Sequence, residues 1–124
     1  MIEEHKCVEK LSSKGSKYWV AQLAGHNTEK FDMPRLLKVF EDQKWFPCFD
    51  RISLDTMQLA KQMVCFEQYS EHVIFDKKLE NFKLTTVVDA LGGEIIDAHD
   101  AIGDVKMSIF CAKEINHRLK WLNS

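Results

Sequence analysis

The chain has 124 residues, 45% of them hydrophobic and 29% charged, with a formal net charge of −2 at pH 7. That length suffices for one compact core and is short for two ordinary domains, and the balance of residue types excludes a disordered tail. The near-neutral charge excludes a broad basic surface, so a nucleic-acid contact would have to come from a local patch or from bound metal ions.

The four cysteines, Cys7, Cys48, Cys65 and Cys111, are widely spread with no C-x-x-C pair. They read as core filler in a reducing compartment, not as a disulfide framework. With no signal-like segment and no apolar run of membrane length, the expected location is the cytoplasm, with no membrane partner.

In chain order, the opening "IEEHKCVEKLSSKGSK" places Ile2, His5, Val8 and Leu11 at roughly helical spacing before a Ser/Lys/Gly cluster, so residues 1–16 read as a weak helix and a turn. "KYWVAQLAGHN" follows, an apolar run rich in aromatic and β-branched residues that predicts a strand over 18–24 covered on both faces and ending near Gly25, His26 and Asn27. A helix is predicted from about Pro34, with Leu36, Leu37 and Phe40 facing inward. "FDRISLDTMQLAKQMV" repeats the strand-then-helix pattern, with Asp55 or Thr56 as cap and Leu59, Ala60 and Met63 inward.

Residues 65–79 show mixed charge and no clean period and read as a long connection with room for a short extra element. Leu84, Val87, Val88 and Leu91 fall at i, i+3, i+4 and i+7 with Gly92 as the stop, which predicts another helix. A closing helix is predicted from about Asp100, its inner face marked by Ile102, Val105, Ile109, Ala112, Ile115 and Leu119. Arg118 and Trp121 read as a solvated tail and a packing residue. Alternating strands and helices with no internal repeat indicate one α/β domain over residues 1–124.

The residues that could carry chemistry crowd into "AHDAIGD" and "GHNTEKFD". His99 and Asp104 are five apart and cannot share a face within one regular helix, but they converge if His99 lies in the preceding loop and Asp104 in the first turn. The plainer alternative is that Asp100 and Asp104 favour the positive end of the helix dipole while His99 is a surface residue. Asp32 follows a buried strand, where open α/β sheets place ligands, yet an aspartate before Met33 and Pro34 also suits a helix start. His26 and Asn27 suit side-chain to backbone bonds that fasten the turn. No Walker loop, dinucleotide fingerprint or nucleophile elbow is present.

Taken together, "GHNTEKFDMPRLL", "SLDTMQLAK", "FKLTTVVDALGG" and "AHDAIGDVKMSIF" stand in the order and spacing of a known family. From about residue 18 to about residue 116 the sequence resembles the 3'-5' exonucleases of the DEDDh group, the family of the proofreading subunit of bacterial DNA polymerase III and of ribonuclease T. The resemblance implies a ribonuclease H-like fold acting on single-stranded DNA or RNA 3' ends. It implies Asp32 and Asp104 as metal-binding acids, His99 as general base, and His26, Asn27 and Phe31 on the substrate side. Asp55 and the K-L-x-x-x-x-x-x-L-G helix become scaffold landmarks.

The departure from the family lies at the start. Members open with a strand carrying D-x-E, followed by two more strands, and those two acids hold a pair of Mg²⁺ or Mn²⁺ ions with the later aspartates. No such strand precedes Lys17, so the exonuclease fold is expected to be incomplete, to bind metal weakly and to be close to inactive alone. A complementing N-terminal half, a polymerase or a second copy of the chain would cover the exposed sheet edge. The alternative is a non-catalytic nuclease remnant that serves as a protein-interaction module.

Overall fold

The computed structural model describes residues 7–96 and 100–120. Among them the chain is a mixed α/β structure with four α-helices and two two-stranded sheets, and it divides into two compact units, residues 1–54 and 55–124.

The first unit begins with an antiparallel hairpin of β1 (Cys7–Leu11) and β2 (Lys17–Ala21), in which Glu9 opposes Trp19 and Lys10 opposes Tyr18. Over residues 7–11 this corrects the weak helix expected within 1–16, of which residues 1–6 lie outside the described residues. The Ser12 N–H donates to the Ser16 carbonyl at 2.8 Å and the Gly15 N–H to the Ser12 carbonyl at 2.9 Å, closing the turn. Once that turn returns the chain alongside the β-prone Tyr-Trp-Val, a short segment readable with either period pairs as a strand.

The strand expected over 18–24 is interrupted. Ala21 forms a parallel bridge with Phe49, its N–H donating to Cys48 at 3.0 Å and its carbonyl accepting from Asp50 at 2.7 Å. The chain then resumes as β3 (Ala24–Gly25), paired with β4 (Leu54–Asp55) as the Leu54 N–H donates to the Leu23 carbonyl at 2.8 Å. Nor is the strand covered on both faces: Val20 is 6% exposed, but Tyr18 and Trp19 are 38% and 47% exposed. A two-stranded hairpin covers one face only, and the pleat turns Trp19 away from the side that takes Val20.

α1 (Met33–Asp42) carries Pro34 in its first turn, as the sequence predicts. Met33 is buried, and Leu36, Leu37 and Phe40 are half-buried. Phe40 meets Trp45 and Phe49 edge to face at centroid separations of 5.7 and 5.3 Å, a geometry that suits the quadrupoles of the rings. Lys10 Nζ pairs with Asp50 Oδ1 at 3.0 Å, tying the hairpin to the Phe49 segment.

In the second unit, α2 (Thr56–Tyr69) is capped by Asp55, whose Oδ1 accepts from the N–H groups of Met57 at 3.0 Å and Gln58 at 3.4 Å. The helix runs through Cys65 to Tyr69, where a connection was expected, because Phe66, Glu67 and Gln68 contain no breaker and the chain turns extended only at Ser70. α3 (Leu84–Ala90) forms where predicted, burying Val87 and Val88, and Gly92 stops it at φ +76°.

α4 (Ala101–Lys120) begins one residue after Asp100, and its inner face is the expected one only toward the C-terminal end, where Ile115 is buried and Leu119 packs on the core. Gly103, Met107, Ser108, Cys111 and Ile115 are buried, whereas Ile102, Val105 and Ile109 are 65%, 58% and 48% exposed. Apolar residues surround most of this helix, so periodicity cannot choose the seam, and the small Gly103, Ser108 and Cys111 admit closer packing. The core joins Ala60, Ile74, Phe75, Val87, Val88, Leu91, Met107, Cys111 and Ile115.

Arg118 is not a solvated tail residue. It donates to the carbonyls of Ile74 at 2.5 Å and Leu91 at 3.0 Å and pairs with Asp76 and Glu114 at 3.0 Å each, fastening α4 to two other segments. Trp121 lies outside the described residues. No helix among the described residues is long and apolar enough to cross a membrane.

Candidate functional site

In the first unit, the stretch from Gly25 to Asp32 leaves β3 and re-enters helix within a few residues. A Cβ on Gly25 would stand 2.6 Å from Thr28 Cγ2, so the bare glycine lets the chain fold back tightly. Asn27 follows at φ 63°, ψ 32°, the left-handed region that asparagine tolerates better than most residues. Thr28 is buried and its Oγ1 lies 2.8 Å from Ser53 Oγ, which anchors the turn beneath. His26 is half-buried next to it.

Thr28–Asp32 then forms a π-helical turn, with the Met33 N–H donating to the Thr28 carbonyl. Widened turns of this kind cluster at functional sites, and this one delivers two side chains outward. Phe31 is 48% exposed with the Arg35 guanidinium 3.7 Å from its ring centroid, and Asp32 is exposed. Asp32 holds the first position before α1 yet makes no side-chain cap hydrogen bond, and its own backbone is helical at φ −74°, ψ −43°. Helix capping, the plainer account of this residue, does not describe it. Asp55 does cap its helix, so the two aspartates part company in the structure.

In the second unit, Asp104 occupies the first turn of α4 and is half-buried beside the buried Gly103. Its N–H donates to the Asp100 carbonyl at 2.9 Å, so Asp100 starts the helix through its backbone. The positive end of the helix dipole favours the Asp104 carboxylate there. His99 lies outside the described residues.

Sequence reasoning missed the π turn, which has no local signature, and Arg35, whose F-x-x-x-R spacing from Phe31 was available as an i,i+4 pair. Of the cysteines, Cys48 and Cys65 are exposed, whereas burial pushes the Cys111 thiol up to about 12, leaving it protonated and unreactive at neutral pH.

A two-metal hydrolase surrounds its ions with several carboxylates. Among the described residues no group of three or more His, Cys, Asp or Glu side chains is placed to hold a metal ion. Asp32 and Asp104 supply two acids, fewer than the several carboxylates that a paired-metal centre needs. Comparison with protein-family models, curated proteins and solved structures returns no match.

Proposed function

We propose that the chain is a DEDDh-type exonuclease segment of ribonuclease H-like fold, which removes nucleoside monophosphates from DNA or RNA 3' ends once a D-x-E strand completes its site. In it Asp32 and Asp104 serve as metal-binding acids, and His99 accepts the proton of the attacking water. His26, Asn27 and Phe31 contact the terminal nucleotide. The carrying observation is the state of Asp32: presented by the π turn next to an exposed aromatic ring, and not engaged in capping α1. The four motif blocks in family order support the same reading.

A second reading, a non-catalytic module that binds a partner protein, is favoured by the solvent-facing Ile102, Val105 and Ile109 of α4. One experiment separates the two. A chain extended at its N-terminus by a D-x-E strand is incubated with a 5'-labelled single-stranded oligonucleotide and Mg²⁺ or Mn²⁺. Stepwise shortening from the 3' end is expected, abolished by Asp32→Asn, Asp104→Asn or His99→Ala. An intact oligonucleotide, or shortening that survives Asp104→Asn, would overturn the exonuclease.

A further inference from the structure

Arg35 stands on the first turns of α1, four residues beyond Phe31, with its guanidinium 3.7 Å from the centre of the Phe31 ring. Both side chains are exposed, so the stack is bathed in water and contributes little to holding the fold together. Among the described residues the Arg35 guanidinium enters no ion pair. Arg118 is its opposite, with donors spent on two carbonyls and two carboxylates.

A guanidinium whose central carbon stands 3.7 Å from a ring centre still carries its N–H groups in its own plane, where those not facing the ring are open to a ligand. Those donors form a fork that matches two oxygens of a phosphate, which the point charge of a lysine does not. Next to the fork, Phe31 offers apolar ring surface of the kind on which unpaired bases stack. Stacking surface and phosphate fork together fit one nucleotide of a single strand. A duplex would keep its bases covered, and a free phosphate would use the fork alone.

We infer that Arg35, held in place by Phe31, binds a backbone phosphate of a single-stranded nucleic acid beside Asp32. The choice of ligand rests on the exonuclease reading, but the contact requires no metal ion and is tested without one.

The test measures fluorescence anisotropy of a labelled oligothymidylate with the 124-residue chain in EDTA, over a series of salt concentrations, with circular dichroism to check that each variant is folded. Arg35→Ala should weaken binding about tenfold. It should also make the log–log salt dependence shallower by about 0.7, the share of one phosphate on a single strand. Arg35→Lys should restore the slope but not the full affinity, and Phe31→Ala should lower affinity at an unchanged slope. Absence of binding by the parent chain, or an Arg35→Ala variant identical in affinity and slope, would overturn the inference. So would complete displacement of the oligonucleotide by an equal concentration of inorganic phosphate, which would reveal a simple anion site. Failure of the exonuclease reading shows separately, as an intact oligonucleotide in the metal-containing assay of the extended chain.

Discussion

Asp32, Asp50 and Asp55 are three carboxylates given different tasks by their surroundings. Asp55→Ala removes both N–H bonds that start α2 and should lower stability by about 1 kcal/mol, read as an earlier urea midpoint at unchanged slope. Asp32→Ala, at an exposed position with no cap bond, should move that midpoint by less than about 0.5 kcal/mol while eliminating the nuclease activity proposed for the extended chain. Equal losses of stability would return Asp32 to a structural role. The carboxyl of Asp50 is held below the usual carboxylate range first by the hydrogen bond from Lys10, then by the Lys10 charge and the N–H groups of Ile52 and Arg51, with burial opposing. Because its folded pKa lies below the unfolded one, the unfolded chain binds the extra proton. Its stabilisation is therefore complete above about pH 4 and lost as pH falls through the folded value. Lys10→Met should flatten that acid limb in a pH series of thermal melts, and an unchanged limb would deny the ion pair its effect.

Among the elements, α4 depends most on contacts far from its own sequence. Arg118→Ala leaves the carbonyls of Ile74 and Leu91 short of a charged donor and should cost about 2 kcal/mol in denaturant unfolding, with Arg118→Lys recovering part of it. Gly93→Ala should cost about 1–3 kcal/mol, since its Cβ would collide with the Phe110 ring on α4. These partners explain what the sequence could reveal and what it could not. The start of α4, the cap at Asp55 and the stop at Gly92 were legible because caps and turn residues act locally. The inner face of α4 was legible at Ile115 and Leu119 but not over the first half of the helix, since apolar residues surround it there and packing decided between them. The hairpin was hidden for a related reason: β1 is a strand only because β2 lies alongside it. Of the site, Asp32 and Asp104 were legible as candidates from motif spacing, but whether an aspartate caps or stands open depends on backbone geometry, which the letters do not encode.

At the scale of the whole molecule, the exposed Ile102, Val105 and Ile109 imply that the chain has a surface in want of cover. Sedimentation at micromolar concentration should show reversible self-association that Ile102→Lys with Ile109→Lys abolishes. A monomer in both cases would mean that the stripe is tolerated in water. β1 already supplies one neighbour to β2, and Ala21 and Leu23 bond to the Phe49 and Leu54 segments, so association through the edge of strand 18–24, the route the sequence suggested, is limited to the backbone these leave unpaired. The unextended chain should leave single-stranded oligonucleotides intact in Mg²⁺ or Mn²⁺, because Asp32 and Asp104 are too few acids for a paired-metal site. Robust 3'-end shortening by it, lost in His99→Ala, would show that the site needs no further strand.

The π turn at Thr28–Asp32 has a bearing on length. Such a turn holds one residue more than the α turn it replaces, while the chain on either side keeps its phase. Removing Lys30 should therefore let the segment close as ordinary helix, with Asn27 and Asp32 still at its two ends. The same deletion inside α1 or α4 would rotate every residue beyond it by roughly 100°. The interval between His26 and Asp32 is thus a place where this chain can lose a residue at little cost to the stance of its acid.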